Sequence, residues 1–147
     1  MLYFAYGSNL NHRQMEYRCY GAKYINSYTL NGYKLIFSHK TDQTIYGHAN
    51  IIKSKETKVP GALWKITKKD EEELDVYEGV DYNYYLKEYF NLNGKKVLFY
   101  QQKTYFRKKP NSTYLHTIIE GYKNCDLNLR YLKKIISTYN INYNIKW

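Results

Sequence analysis

The sequence contains few cysteines, few prolines and few acidic residues, and it has no long apolar stretch. Among its 147 residues there are only two cysteines, two prolines and 13 acidic residues. No apolar stretch approaches the length of a membrane span, and neither the two cysteines nor the four histidines have a spacing typical of metal ligands. These absences argue against a membrane protein, a disulfide-stabilised domain and a metal centre.

The first residues also lack the features of a secretory signal. Residues 1–6 are apolar, but they are too few for the apolar region of a signal peptide and have no basic flank. We therefore expect a cytoplasmic protein with reduced thiols, in which Cys19 and Cys125 serve as packing residues.

The chain is instead rich in tyrosine and basic charge. Twenty residues are Tyr, hydrophobic residues make up 44% of the chain, and the formal net charge is +10. We expect the tyrosines to form much of the core, with hydrogen-bond partners for their hydroxyl groups. The basic residues are dispersed, and the densest group is the short run Arg107–Lys109, so the charge does not favour a nucleic-acid partner. The length predicts one domain, residues 1–147, with room for a core and a pocket.

Apolar and aromatic runs between turn residues predict a strand-rich chain. Residues 2–6 are predicted to form a buried strand that leads into a tight turn at Gly7. The remaining runs predict strands over residues 24–30, 33–38, 46–52, 58–66, 85–92 and 95–105.

Two Asn-Gly pairs each lie between two of these runs. Because Asn-Gly favours the tight turn of a β-hairpin, Asn31-Gly32 and Asn93-Gly94 both predict hairpins. The pair Pro60-Gly61 predicts that the strand over residues 58–66 begins at an edge or a bend.

Four helices are predicted from capping residues followed by helical periodicity. The predicted caps are Asn11, with Gln14 as its capping-box partner, and Thr67, Ser112 and Asp126. Helices interspersed among many strands predict an α+β fold.

The turn after the first strand has a composition that suits ligand binding. Gly7 allows the backbone of Tyr6–Leu10 to turn sharply and leaves room for a ligand. The following N–H groups, near a helix start, favour an anion such as a substrate carboxylate. An ordinary turn accounts for the same residues, and the pattern alone leaves both interpretations open.

Glu78 is the candidate general base. It lies between Tyr77 and Gly79 at the predicted end of a helix. The negative end of the helix dipole and the neighbouring aromatic residues both raise the pKa of a carboxyl group, which suits acid–base chemistry. An exposed glutamate at a helix end is the alternative. Asp75, one turn earlier, is expected to face solvent.

Two segments carry a resemblance to a known family. Phe4–Leu10 resembles the opening of the γ-glutamylcyclotransferase family, and Leu74–Val80 resembles its catalytic segment. Further segments follow in the order and spacing of that family, so that the likeness spans residue 3 to about residue 132: Gly47–Ile51, Gly61–Trp64, Tyr84–Glu88 and Pro110–Gly121.

The resemblance implies a small mixed β-barrel-like sheet with surrounding helices and a pocket at one mouth. It also implies release of 5-oxoproline from a small γ-glutamyl substrate, whose α-amino group attacks its own γ-carbonyl without a metal or nucleotide cofactor. By this resemblance Glu78 is the general acid/base. The residues implied to bind the substrate are Tyr6, Gly7, Ser8, Asn9 and Leu10 of the loop, with Tyr85 and Tyr114 closing the pocket.

Three functions remain open at this point. The substrate could be a γ-glutamyl amino acid or peptide, or it could be a γ-glutamylamine or a biosynthetic intermediate that loses its γ-glutamyl group. The third alternative is a non-catalytic domain of the same fold that binds a small metabolite, against which the intact Glu78 argues. The chain departs from the family after Gly121, so the leaving amine is not predicted. The oligomeric state and the roles of His39 and His48 are not predicted either.

Overall fold

The computed structural model describes all 147 residues, and it has a curled six-stranded sheet with four α-helices. The strands are Leu2–Ala5 (β1), Lys23–His39 (β2), His48–Lys65 (β3), Leu86–Leu92 (β4), Lys95–Gln101 (β5) and Phe106–Arg107 (β6). The helices are His12–Arg18 (α1), Lys68–Tyr77 (α2), Ser112–Asn124 (α3) and Leu129–Ile136 (α4). The strand order is β4-β5-β1-β3-β2-β6. The α+β prediction is confirmed.

The short strand β1 lies in the middle of the sheet. It pairs antiparallel with β3 from Leu2 opposite Lys65 to Ala5 opposite Ala62, and parallel with β5. Its last three residues are buried, as the apolar sequence predicts for a strand with neighbours on both sides. The chain therefore leaves β1 from the centre of the sheet and enters the loop Tyr6–Leu10, in which the side chains of Tyr6 and Leu10 are buried in the core.

The predicted hairpin at Asn31-Gly32 is wrong. β2 runs through this pair, and β2 and β3 form one long hairpin whose pairing extends from Lys23 opposite Lys65 to Ser38 opposite His48. Gly32 has a positive φ of 83°, but it forms an irregularity rather than a turn. The opposite strand is irregular at the same level, where the four residues 54–57 are unpaired. The two strands predicted over 46–52 and 58–66 are nevertheless one strand, β3.

The second Asn-Gly pair behaves as predicted. Asn93 and Gly94 both have positive φ, at 52° and 82°, and they join β4 to β5 in a tight hairpin. Pro60, in contrast, does not start a strand, because β3 continues through it with Pro60 opposite Thr29. Pro60 lies beyond Ala62, the last residue of β3 that pairs with β1. No β1 residue therefore needs the N–H group that proline lacks.

The helices begin close to their predicted caps. Asn11 and Thr67 each accept a backbone N–H, and Thr67 forms a full capping box with Asp70. The α3 cap is Asn111 rather than Ser112. The α4 cap is Asn128 rather than Asp126, which has a left-handed φ of 54° and ends the preceding turn instead.

Two tyrosine side chains cover the outer edge of β2. Tyr131 on α4 accepts the N–H of Leu35 through its hydroxyl, at 3.1 Å. The hydroxyl of Tyr139 accepts the N–H of Phe37 at 2.6 Å and donates to the Phe37 carbonyl at 2.9 Å. The C-terminal residues thereby satisfy the N–H groups of Leu35 and Phe37, which β6, only two residues long, does not reach. The Phe37 carbonyl also accepts the N–H of Lys108, at 3.1 Å.

No helix of the chain combines the length and the apolar character that crossing a membrane requires.

Candidate active site

Two adjoining cavities open where β1 ends. The inner cavity has a volume of about 30 Å³ and the outer one about 150 Å³. Both are lined by Ser8, Glu78, Tyr85 and Tyr114, so these four residues form the wall between them.

The inner cavity gathers seven of the eight residues predicted for the site. Leu10 is the exception, because its side chain is fully buried in the core and lines neither cavity. Three further residues, Tyr3, Ala49 and Tyr100, line this cavity. Ala49 lies in the segment Gly47–Ile51 that carries part of the resemblance, whereas Tyr3 and Tyr100 have no sequence signal beyond strand alternation. The predicted residues on the wall are Tyr6, Gly7, Ser8, Asn9, Glu78, Tyr85 and Tyr114.

The loop is held close to β3 and α3. A Cβ atom on Gly7 would lie 2.7 Å from the Cβ of Ala49, so only glycine fits at this approach. On the other side, a Cβ atom on Gly121 of α3 would lie 2.7 Å from the Asn11 nitrogen and from the Leu10 Cβ. These two glycines let the loop pack tightly between a strand and a helix, and the backbone N–H groups of Ser8 and Asn9 remain without a partner in the chain.

Glu78 lies at the C-terminal end of α2. The helix ends at Tyr77 as predicted, and Gly79 follows with a left-handed φ of 64°. The carboxylate is partly buried beside the loop, and Asn9 donates to its Oε1 from 3.2 Å. Burial raises the pKa of Glu78 to about 7, against the opposing effects of the Arg18 charge and the Asn9 hydrogen bond. The carboxyl group can therefore exchange a proton at neutral pH.

Asn9 is the centre of a hydrogen-bond network. Its Nδ2 donates to the Tyr3 hydroxyl at 2.9 Å as well as to Glu78. Its Oδ1 accepts from Gln14 at 2.9 Å and from Arg18 at 3.2 Å. The predicted role of Gln14 is thus only half right, because its side chain binds Ser8 and Asn9 instead of returning to the Asn11 backbone.

The tyrosine hydroxyls around the inner cavity fall into two classes. Tyr6 donates to the Tyr100 carbonyl, Tyr85 donates to the Ala49 carbonyl, and Tyr100 donates to Asp75. Their protons are therefore used within the protein. The hydroxyl of Tyr114 accepts the Ala49 N–H at 2.9 Å, and that of Tyr3 accepts from Asn9. Since a hydroxyl has one proton, these two remain free to donate to a ligand.

The outer cavity is lined mainly by aromatic side chains and contains one guanidinium group. Its wall includes Arg18 and His48, together with Tyr77 and Tyr84. The Arg18 guanidinium lies over the Tyr77 ring, 4.4 Å from its centroid. His48 Nδ1 lies 2.5 Å from the Tyr84 hydroxyl, and burial, with smaller effects of His39 and Arg18, lowers the pKa of His48.

His48 reaches the site and His39 does not. His39 packs against Tyr84, with ring centroids 4.9 Å apart, and lines neither cavity. Arg18 was not predicted from the sequence, because a basic residue in the last turn of a helix is commonplace there.

Asp75 does not face solvent freely. It accepts from the Tyr100 hydroxyl at 2.8 Å and from Lys87 at 3.0 Å. Lys87 also binds Glu71, at 2.6 Å, so Asp75 is a structural residue that ties α2 to β4 and β5.

The two cysteines do not have the character of activated nucleophiles. Cys19 and Cys125 are buried free thiols, as predicted, and burial raises the pKa of Cys19 to about 12 and that of Cys125 to about 11. Thiols held in the protonated form are poor nucleophiles. The structure contains no cluster of His, Cys, Asp or Glu side chains able to hold a metal ion.

Known proteins share this sequence and architecture. Residues 3–123 match the family model described as "Gamma-glutamyl cyclotransferase, AIG2-like". "Gamma-glutamylcyclotransferase" of Bos taurus is 34% identical over an aligned length of 145 residues, and the alignment covers 92% of this chain and 77% of the relative. The Homo sapiens protein of the same name is 33% identical over 143 residues, or 91% and 76% of the two chains.

A solved structure named "Gamma-glutamyl cyclotransferase" superimposes on this chain with a TM-score of 0.80 and 31% sequence identity, covering 99% of this chain and 92% of the other. The sequence and the fold therefore agree, and the chain belongs to the gamma-glutamyl cyclotransferase, AIG2-like family of enzymes.

Proposed function

We propose that this enzyme releases 5-oxoproline from a γ-glutamyl amino acid, peptide or amine, with Glu78 as general acid/base. The observation that carries the proposal is the position of Glu78, a partly buried carboxyl group with a pKa near 7 between two cavities. We further propose that residues 1–147 act as one cytoplasmic domain on this small substrate, without a cofactor.

The reaction needs one proton to change places. The α-amino nitrogen of the γ-glutamyl unit attacks the γ-carbonyl carbon, which forms the C–N bond of the five-membered ring. The γ-amide C–N bond then breaks and the amine leaves. Ionised Glu78 accepts a proton from the attacking nitrogen and, as the neutral acid, donates it to the leaving nitrogen. Nucleophile and electrophile belong to one molecule, so binding the folded substrate supplies much of the rate by proximity.

The inner cavity supplies donors for the charged and developing negative groups. Four residues with free donors line this cavity: Ser8 and Asn9, whose backbone N–H groups have no partner in the chain, and Tyr3 and Tyr114, whose hydroxyl protons are not used. Such donors suit the substrate α-carboxylate and the oxyanion of the tetrahedral intermediate. In this arrangement Leu10 supports the loop through packing and does not touch the ligand.

The two cavities differ in what they can hold. The inner cavity, at about 30 Å³, has room for about one water-sized group, so it would take only a polar end of the γ-glutamyl unit. The rest of the substrate, with the leaving amine, would pass Glu78 into the outer cavity of about 150 Å³. The bond that breaks would then lie near the wall that the two cavities share, close to the Glu78 carboxyl group.

A panel assay tests the proposal. The protein is incubated with γ-glutamyl amino acids, a γ-glutamylcysteine-type peptide and γ-glutamyl-lysine, and 5-oxoproline is measured. We expect turnover of at least one member and a loss of about 100-fold or more in Glu78→Gln. Glu120→Gln, which removes an exposed carboxylate on α3, is the control and should retain activity.

Two outcomes would count against the proposal. Full activity in Glu78→Gln would remove the assigned acid/base. Tight binding of one compound with no turnover of any would instead favour a metabolite-binding domain of the same fold.

A further inference from the structure

The amide of Asn9 uses all of its hydrogen-bonding capacity. An asparagine amide has two N–H donors and two acceptor positions on its oxygen. Here both donors are used, toward Tyr3 and Glu78, and both acceptor positions are used, by Gln14 and Arg18. Asn9 is also buried, with 3% of its surface exposed, so water does not compete for these positions.

The orientation of this amide decides what Glu78 meets. If the amide were turned over, its oxygen instead of its nitrogen would face the Glu78 carboxylate. Two oxygen acceptors in contact repel each other unless Glu78 carries a proton. The two orientations therefore favour different protonation states of the same carboxyl group.

Gln14 alone cannot select between the two orientations. It contacts Asn9 and Ser8 through its own amide, and that amide can also turn over and present its oxygen, with the Ser8 hydroxyl reversing its role. A guanidinium group has no acceptor atom. Whatever atom of Asn9 faces Arg18 at 3.2 Å must therefore be the oxygen, which leaves the nitrogen to face Glu78.

We propose that Arg18 is a positioning residue that fixes the orientation of the Asn9 amide, so that Asn9 presents an N–H donor to Glu78. Stacking on Tyr77 holds the guanidinium in place. Arg18 forms no ion pair with any carboxylate. Its charge acts on Glu78 through space, and its hydrogen-bonded link to Glu78 runs through Asn9. The meaning of this arrangement for catalysis rests on the proposed role of Glu78.

The surroundings of Glu78 contain no other group that performs this task. Arg18 carries the positive charge at this wall, and burial disfavours the charged form of His48 in the outer cavity. The remaining titratable groups near Glu78 are neutral tyrosines and a thiol on six elements or loops: Tyr3, Tyr6, Cys19, Tyr84, Tyr85, Tyr100 and Tyr114.

The test follows the protonation of Glu78 directly. Protein with ¹³C-labelled glutamate carboxyl groups is titrated by NMR, and the Glu78 signal is identified by its loss in Glu78→Gln. We expect the midpoint to rise by about one pH unit in Arg18→Met, because an ionic hydrogen-bond arrangement is lost. Arg18→Lys, which keeps a donor without an acceptor, should restore most of it. Arg13→Met, an exposed arginine on the same helix, is the charge-matched control.

A second background separates positioning from a direct effect of charge. In Asn9→Ala, the further change Arg18→Met should raise the midpoint by less than half as much as in the wild-type background. An equal rise in both backgrounds, or no rise in either, would overturn the proposal. Thermal unfolding checks that each variant folds. If Arg18→Met does not fold, the comparison of Arg18→Lys with the wild type still tests the proposal.

The same variants distinguish this inference from the proposed function. If Glu78 is the base, the pH at which kcat/KM reaches half of its maximum moves with the NMR midpoint in Arg18→Met. If the NMR midpoint moves but the rate profile does not, the positioning role stands and the assignment of Glu78 as the base fails.

Discussion

The hydroxyl oxygen of Tyr114 lies 2.9 Å from the backbone nitrogen of Ala49 and accepts its N–H. The hydroxyl of Tyr85 binds the same residue in the opposite sense, because it donates to the Ala49 carbonyl. Both tyrosines line both cavities. One residue of β3 thus uses the proton of one tyrosine and leaves the proton of the other available.

This difference predicts unequal effects of two similar substitutions. Tyr114→Phe should lower kcat/KM by about ten- to a hundredfold, because it removes a proton free to bind the substrate oxyanion. Tyr85→Phe should lower it much less. Both should cost about 1–3 kcal/mol of unfolding free energy, since each leaves an Ala49 backbone group without a partner. Kinetics and urea denaturation measure the two effects, and equal losses of activity would contradict the assignment.

The contact between Gly7 and Ala49 predicts a rescue. In Gly7→Ala the new methyl group would lie 2.7 Å from the Ala49 Cβ, so the loop must move and activity should fall about tenfold or more. The double variant Gly7→Ala, Ala49→Gly removes the clash and should recover most of this loss.

The single variant Ala49→Gly serves as the control for the rescue. It should retain activity with a stability cost of about 1 kcal/mol. A double variant no more active than Gly7→Ala would show that the loop does not depend on this contact.

The raised pKa of Glu78 predicts how stability depends on pH. The folded state holds the proton up to about pH 7, whereas the ordinary pKa of the group is 4.5. Between these values the folded state binds more protons than the unfolded state, so the Glu78 contribution to stability falls as pH rises. Glu78→Gln has no carboxyl group at this position, so its stability does not fall with pH for this reason.

Urea denaturation between pH 4 and pH 8 measures the effect. Glu78→Gln should match the wild type near pH 4 and exceed it by up to about 3 kcal/mol near pH 8. Glu120→Gln should stay within about 0.5 kcal/mol of the wild type throughout, as surface substitutions do. A difference between Glu78→Gln and the wild type that shrinks as pH rises would refute the sign of the shift.

Lys87 is predicted to matter for stability. Its ammonium group lies 2.6 Å from Glu71 and 3.0 Å from Asp75, and 22% of its side chain is exposed. Burial lowers the pKa of Lys87, but hydrogen bonds to both carboxylates outweigh that effect and raise it. Lys87→Met should lower the unfolding free energy by about 1–3 kcal/mol. Lys95→Met, at an exposed position without an ion pair, should change it by less than about 0.5 kcal/mol.

Local signals in the sequence predicted the parts of the fold that local physics decides. The turn Asn93-Gly94, the Thr67 cap and the buried strand β1 follow from residues close to one another in the chain. Asn31-Gly32 has the same turn chemistry but became an irregularity within β2. The residues on both sides of it pair with β3, and this long-range pairing overrides the local preference.

In the candidate site, too, local patterns were predicted and long-range contacts were not. The loop and Glu78 were found because each is a short contiguous pattern. Tyr3, Tyr100 and Arg18 were not found, because strand alternation and a helix end give them no distinctive neighbours in sequence. Only the folded chain brings Arg18 to Asn9, and no periodicity reports a contact of that kind.

The double hydrogen bond between Tyr139 and Phe37 has a consequence for behaviour at high concentration. One hydroxyl performs for Phe37 what the amide and carbonyl of a neighbouring strand would perform. A side chain, unlike a strand, cannot extend the ladder to another molecule. Along this stretch of β2 the tyrosine hydroxyls therefore occupy the backbone groups with which a strand of another molecule would pair, and this part of the sheet edge is closed to edge-to-edge association.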